Sequence, residues 1–193
     1  MDNNNLKIKE IFSSALQNHQ KNFFKVAESL YKEVLKTQPN HFESIFYLGA
    51  LSIQTKNFDK AKQLLEKAIK IQPNFVAAHN NLGIVYKELG EHKKAMSHFQ
   101  KAIEIQPNFE NAYYNLGVAF KGLNEFKKAI NCFKKAIQIN PNYVMAYNNL
   151  GLVFQELNEN EKAIICYEKV IQIDPNYINA YNGLGKILGE LDR

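Results

Sequence analysis

Two rows of side chains capable of chemistry recur every 34 residues along this chain. The first, His98, Cys132 and Cys166, consists of metal-ligating types. A zinc ion needs each ligand within about 2.0 to 2.3 Å. Residues on successive stacked helices stand roughly 8 to 10 Å apart axis to axis, so no metal is expected there. The same spacing exceeds the Cα separation of about 4.4 to 6.8 Å that a disulfide tolerates. Cys132 and Cys166, the only cysteines, are therefore expected to be free thiols in a reducing compartment.

The second row is amide: Asn81, Asn115 and Asn149. A carboxamide offers two donors and an acceptor, so it can bond both the N–H and the C=O of a passing main chain. If the rungs lie roughly 10 Å apart and an extended strand rises about 3.3 Å per residue, each rung meets about every third ligand residue. Such a ladder reads backbone rather than sequence. The competing reading is that the asparagines hydrogen-bond one another between helices. Asn80, Tyr114, Asn148 and Asn182 stand one position earlier in their repeats and could add side-chain contacts, and Phe46 and Tyr47 hold the two equivalent positions of an earlier unit. Lys87 and Lys121 extend the same stripe toward the helix C-termini. His79 reads as a packing residue, and His19, His41 and His92 sit near helix ends or turns. No glycine-rich loop could cradle a phosphate. No enzyme chemistry and no cofactor are assigned.

The elements that must position these rows are set by the same period. All five prolines, Pro39, Pro73, Pro107, Pro141 and Pro175, stand 34 residues apart. Residues 1–7 are polar and expected to fray. A degenerate first repeat spans 8–41, followed by 42–75, 76–109, 110–143 and 144–177, with a half-repeat over 178–193. Apolar residues recur three and four apart in two segments of each repeat, separated by a break at Lys56-Asn57, Gly90, Asn124 and Asn158, which predicts an antiparallel helical hairpin. Leu82-Gly83 and Ala95 let paired helices approach, while Tyr86 and Phe99 fill the space beside them. Proline stops each second helix, and the Asn after it (Asn74, Asn108, Asn142, Asn176) is expected to turn the chain and cap the next one. The predicted fold is all-α: a right-handed α-solenoid of stacked hairpins with about eleven helices, whose first helices line a concave groove.

Apolar residues make up 46% of the chain and charged residues 22%, which excludes disorder. The net charge of +5 is spread along the repeats with no basic run, so neither nucleic acid nor a membrane surface is expected as partner. No segment approaches the roughly 20 apolar residues of a membrane helix, and the N-terminus lacks the apolar core of a signal peptide. A cytoplasmic location is expected.

The pattern Leu-Gly, aromatic, Ala, aromatic, Ala and Pro over 34 residues, with Leu48-Gly49, Leu82-Gly83, Leu116-Gly117 and Leu150-Gly151 followed by Ala61, Ala95, Ala129 and Ala163, resembles the tetratricopeptide repeat. The family's usual tryptophan is replaced by Ile45, His79, Tyr113, Tyr147 and Tyr181. The asparagine row is similar to the ladder in the repeat arrays of O-linked N-acetylglucosamine transferases, a likeness confined to Asn81, Asn115 and Asn149. The clamp by which other members hold chaperone tails is absent, since position nine of the repeats carries Ala50, Ile84, Val118 and Leu152. The resemblance implies a non-catalytic adaptor or scaffold that binds protein or extended peptide in its groove. The alternatives are the substrate-recruiting arm of a larger glycosyl- or sulfotransferase, and a scaffold that self-assembles into a homo-oligomer through the C-terminal half-repeat.

Overall fold

The structure is a computed structural model describing the backbone of residues 3–191 and the side chains of residues 4–189. Among the described residues it holds eleven α-helices and no strand. The chain forms two compact units, Met1–Lys101 and Ala102–Arg193. The first contains α1 (Asn3–Gln20), α2 (Phe24–Thr37), α3 (Phe42–Gln54), α4 (Phe58–Ile71), α5 (Val76–Glu88) and the start of α6 (His92–Ile105). The second contains α7 (Glu110–Gly122), α8 (Phe126–Ile139), α9 (Val144–Glu156), α10 (Asn160–Ile173) and α11 (Ile178–Leu191). This is the all-α repeat solenoid that the period predicts.

Each hairpin turns on one residue in the left-handed region: Asn22, Lys56, Gly90, Asn124 and Asn158, with φ between 57° and 77°. Glycine and asparagine adopt this conformation at least strain. It aims the next N–H back at the ending helix, as in Asn57 to Ser52 (2.8 Å), Glu91 to Tyr86 (2.8 Å) and Glu159 to Phe154 (2.8 Å). Those bonds satisfy carbonyls that the helix end would otherwise leave unpaired. Asn57 also caps α4, its side chain accepting from the Lys60 N–H.

Between hairpins the expected cap is not where the sequence placed it. The N-caps of α5, α7 and α9 are Phe75, Phe109 and Tyr143, none with a side-chain capping bond. Asn74, Asn108 and Asn142 fall one residue too early for their side chains to reach the first turn. Polar work at the turn is done before the proline instead. Asn140 Oδ1 accepts from the Asn142 N–H and Asp174 Oδ1 from the Asn176 N–H, each at 3.1 Å. At the N-terminal side α1 begins at Asn3, and Ile8 is buried. Asn5 Oδ1 accepts a hydrogen bond from Gln38 Nε2 at 3.2 Å.

From α3 onward each hairpin is held by an aromatic or leucine side chain laid against a glycine backbone. A Cβ at Gly83 would lie 2.5 Å from the Phe99 ring, at Gly117 2.7 Å from Phe133, and at Gly151 2.8 Å from Tyr167. Phe99, Phe133 and Tyr167 are fully buried, and burial of such a side chain stabilises by roughly 1.5 to 3 kcal/mol. The degenerate first repeat keeps this logic with Ala15, Ala27 and Tyr31 packed on Leu48 and Leu51. On α11, Ala180 and Ile187 are buried while Ile178, Tyr181 and Leu188 stay exposed. Among the described residues no helix is long and apolar enough to cross a membrane.

Candidate peptide-binding site

First helices of neighbouring hairpins touch directly within each unit, α1 with α3 and α3 with α5 in the first, α7 with α9 and α9 with α11 in the second. Positions two, five, six, nine, twelve and thirteen of these helices therefore share a face.

In the second unit that face is a polar network. Asn149 donates to the Tyr114 hydroxyl (3.3 Å) and to the Met145 carbonyl (3.0 Å), and its Oδ1 accepts from Lys121 Nζ at 2.9 Å. The Tyr143 hydroxyl donates to Asn111 Oδ1 (2.7 Å), and the Tyr114 and Tyr143 rings meet at 5.2 Å. Burial pushes both phenols up from the ordinary value, Tyr143 to about 12, and the neighbouring tyrosines add to this. The Lys121 ammonium is held below its ordinary value by burial, against which Glu156 pulls upward. Asn149 thus has intramolecular partners for both donors and one lone pair. Asn81 makes no side-chain hydrogen bond among the described residues. Asn80 and Asn115 are each engaged within the protein, and Lys87 pairs with Glu88 at 2.9 Å.

Two cavities open on these faces. One of about 510 Å³ lies between α9 and α11, where Asn148 and Asn182 meet Gln155, Glu156, Asn179 and Lys186. Asn148 is only 6% exposed. The other, about 480 Å³, lies between α1 and α3, where Phe46 and Tyr47 meet Leu16, His19, Ala50 and Gln54. Phe46 is 8% exposed, and its ring packs edge-on to Phe75 at 4.9 Å. The sequence stripe contained Gln155, Glu156, Asn179 and Lys186, but nothing singled them out. The visible signal was Lys186, a charge where the other repeats carry an apolar residue.

Cys132 and Cys166 are free, and burial pushes both thiols up to about 11. Among the described residues no group of three or more His, Cys, Asp or Glu could hold a metal ion.

Hairpins stacked through Gly-aromatic contacts, with amides and aromatics on the first-helix face, define a helical-repeat interaction scaffold. Residues 76–109, 110–143 and 144–177 each match the tetratricopeptide repeat model, and residues 51–90 match a second TPR repeat model. The chain belongs to the tetratricopeptide repeat family. No curated protein matches it in sequence. Among solved structures, the MamA protein is 26% identical with a TM-score of 0.72, over 87% of this chain and 92% of that one. TTC0263, a thermophilic TPR protein of Thermus thermophilus, shares the fold at 16% identity (TM-score 0.76, covering 94% and 98%). So does YrrB, described as a TPR protein with an unusual peptide-binding site, at 22% identity (TM-score 0.68, covering 89% of each chain).

Proposed function

We propose that this protein is a non-catalytic adaptor whose first-helix faces bind an extended peptide or an unfolded segment of a partner protein. The observation that carries this reading is the amide-lined face of α9 and α11. Asn148, Asn179, Asn182 and Gln155 gather there around one open cavity, a surface suited to bonding main-chain groups of either polarity. The peptide-binding site named for YrrB is in keeping with a peptide ligand on this scaffold. The Asn81, Asn115 and Asn149 row acts in the same way, with Asn81 freest to do so.

Replacing Asn81, Asn115 and Asn149 together by Ala tests the role of the row. Peptides selected from a displayed random library on the unmodified protein should bind the triple variant at least tenfold more weakly, about 1.4 kcal/mol, while its helical circular dichroism is kept. Unchanged peptide binding together with a lower melting temperature would assign the row to helix packing alone.

A further inference from the structure

The cavity between α9 and α11 carries two buried polar atoms with nothing to bond. Asn148 Oδ1 is an acceptor, and Gln155 Nε2 a donor, with no hydrogen-bond partner among the described residues. The other end of the Gln155 amide is fixed, since Oε1 accepts from the Tyr167 hydroxyl at 3.0 Å. A buried polar group left unpaired is destabilising, so a ligand that satisfies it recovers that loss on binding. Both residues line the same cavity. Neither atom is open to bulk solvent; a small rotation of the Asn148 amide, soft about its last torsion, brings its oxygen to a ligand there, while Gln155 must turn its Nε2 about the bond from the Tyr167 hydroxyl that holds its oxygen.

Three features define what fits. Asn148 and Gln155 are two helical turns apart on one face, about 10 Å along the axis, too far for one carboxamide and matched by about three residues of extended chain. The charged lining is balanced, Glu156 on α9 against Lys186 on α11, which favours neither a carboxylate nor an ammonium. Gly183, which also lines the cavity, stands where earlier repeats have Asn81, Asn115 and Asn149, so this face carries no amide at that position and α11 packs closely on Tyr167. A Cβ there would lie 2.6 Å from the Tyr167 ring, the same ring whose hydroxyl holds Gln155.

Building on the peptide-binding reading above, we propose that a peptide main chain runs along α9 in this cavity. It donates one N–H to Asn148 Oδ1 and accepts from Gln155 Nε2 at a carbonyl about three residues away. The subsite thus recognises uncharged backbone and is indifferent to a terminal carboxylate.

The probes are peptides selected from a displayed random library on the full chain, resynthesised with an amidated C-terminus and measured by calorimetry. Asn148→Leu and Gln155→Glu, the latter keeping the acceptor for Tyr167, are each expected to weaken binding by roughly threefold to tenfold. N-methylation of one main-chain amide should weaken binding to the unmodified protein and add nothing in Asn148→Leu. The melting temperature of Asn148→Leu should not fall, because the substitution removes an unpaired buried oxygen. Binding by both the Asn148→Leu and Gln155→Glu variants as tight as that of the unmodified protein would overturn the subsite while leaving peptide binding elsewhere intact. A requirement for a free carboxylate together with loss in Lys186→Met would overturn it in favour of an anion site. Failure to select any peptide would remove both this subsite and the reading it rests on.

Discussion

Nδ1 of His79 lies 3.1 Å from Nδ1 of His98, and only one of these nitrogens can carry the shared proton. His79 Nε2 donates to the Pro73 carbonyl at 2.9 Å, so its Nδ1 is the acceptor and His98 the donor. Tyr86 stacks on His98 at 5.4 Å and donates its hydroxyl to Glu66 at 2.8 Å, closing the pair from the other side.

Acid should therefore weaken the first unit. Burial, and next the proximity of His79, hold His98 below its ordinary value, with Glu66 pulling the other way. The unfolded chain then takes up the proton first, so the stabilisation is present above about pH 6.5 and is lost as pH falls through the lower folded-state value. Later repeats carry Tyr and Cys at these two positions, as in Tyr147 and Cys166, and Tyr181 bonds the Pro175 carbonyl much as His79 bonds Pro73. His79→Tyr combined with His98→Cys should preserve the fold and flatten the fall in melting temperature between about pH 7 and pH 5. An identical pH profile in the double variant would remove the pair as its cause.

The same Leu-Gly position should respond oppositely in two repeats. At Gly117 a Cβ would lie 2.7 Å from Phe133, whereas at Gly185 nothing lies within 4 Å. Gly117→Ala must displace a buried ring and is expected to destabilise by about 1 to 3 kcal/mol. Gly185→Ala relieves only the entropic penalty of glycine inside a helix and should stabilise by about 0.5 to 1 kcal/mol. Urea denaturation of both variants checks the signs.

Both thiols should be slow to react in the folded protein. Cys166 is buried, Cys132 half-buried, and each is pushed up to about 11 by that burial, so little thiolate is present at neutral pH. A disulfide-exchange reagent should modify them slowly under native conditions and rapidly in denaturant, at a rate that tracks unfolding. Fast native labelling at Cys132 would show that α8 opens locally.

The hairpins and their period were legible because two residue types admit few alternatives. Proline cannot continue a helix, and glycine at the packing positions is the only residue that admits the Phe99, Phe133 and Tyr167 rings. The caps were not legible. Asparagine suits a turn and an N-cap equally, and one residue of register, set by where Phe75 or Tyr143 docks, decides between them. The α9 and α11 cavity was half legible. Its stripe positions follow from helical geometry, but the burial of Asn148 depends on α11 packing over α9. The single-ended bonding of Gln155 depends on Tyr167 from a third helix. Such facts belong to three chain segments at once and leave no pattern in any one of them.

Within the asparagine row, the rungs should separate when replaced singly. Asn149 is tied to Tyr114, Met145 and Lys121, so Asn149→Ala leaves a half-buried lysine and a phenol without a partner. It should lower stability by about 1 to 2 kcal/mol, since net hydrogen-bond contributions are near 1 kcal/mol and abandoned buried partners add to the loss. Asn81→Ala removes no such bond and should change stability by under about 0.5 kcal/mol. Ligand binding should order the two variants the other way. Asn81 can bond a peptide without breaking anything, whereas Asn149 must first give up or share its bond from Lys121. Melting curves and peptide affinities measured on the same pair of variants decide the matter. If Asn149→Ala lost more affinity than Asn81→Ala, the Lys121 bond would be holding that amide in place for the ligand rather than competing with it.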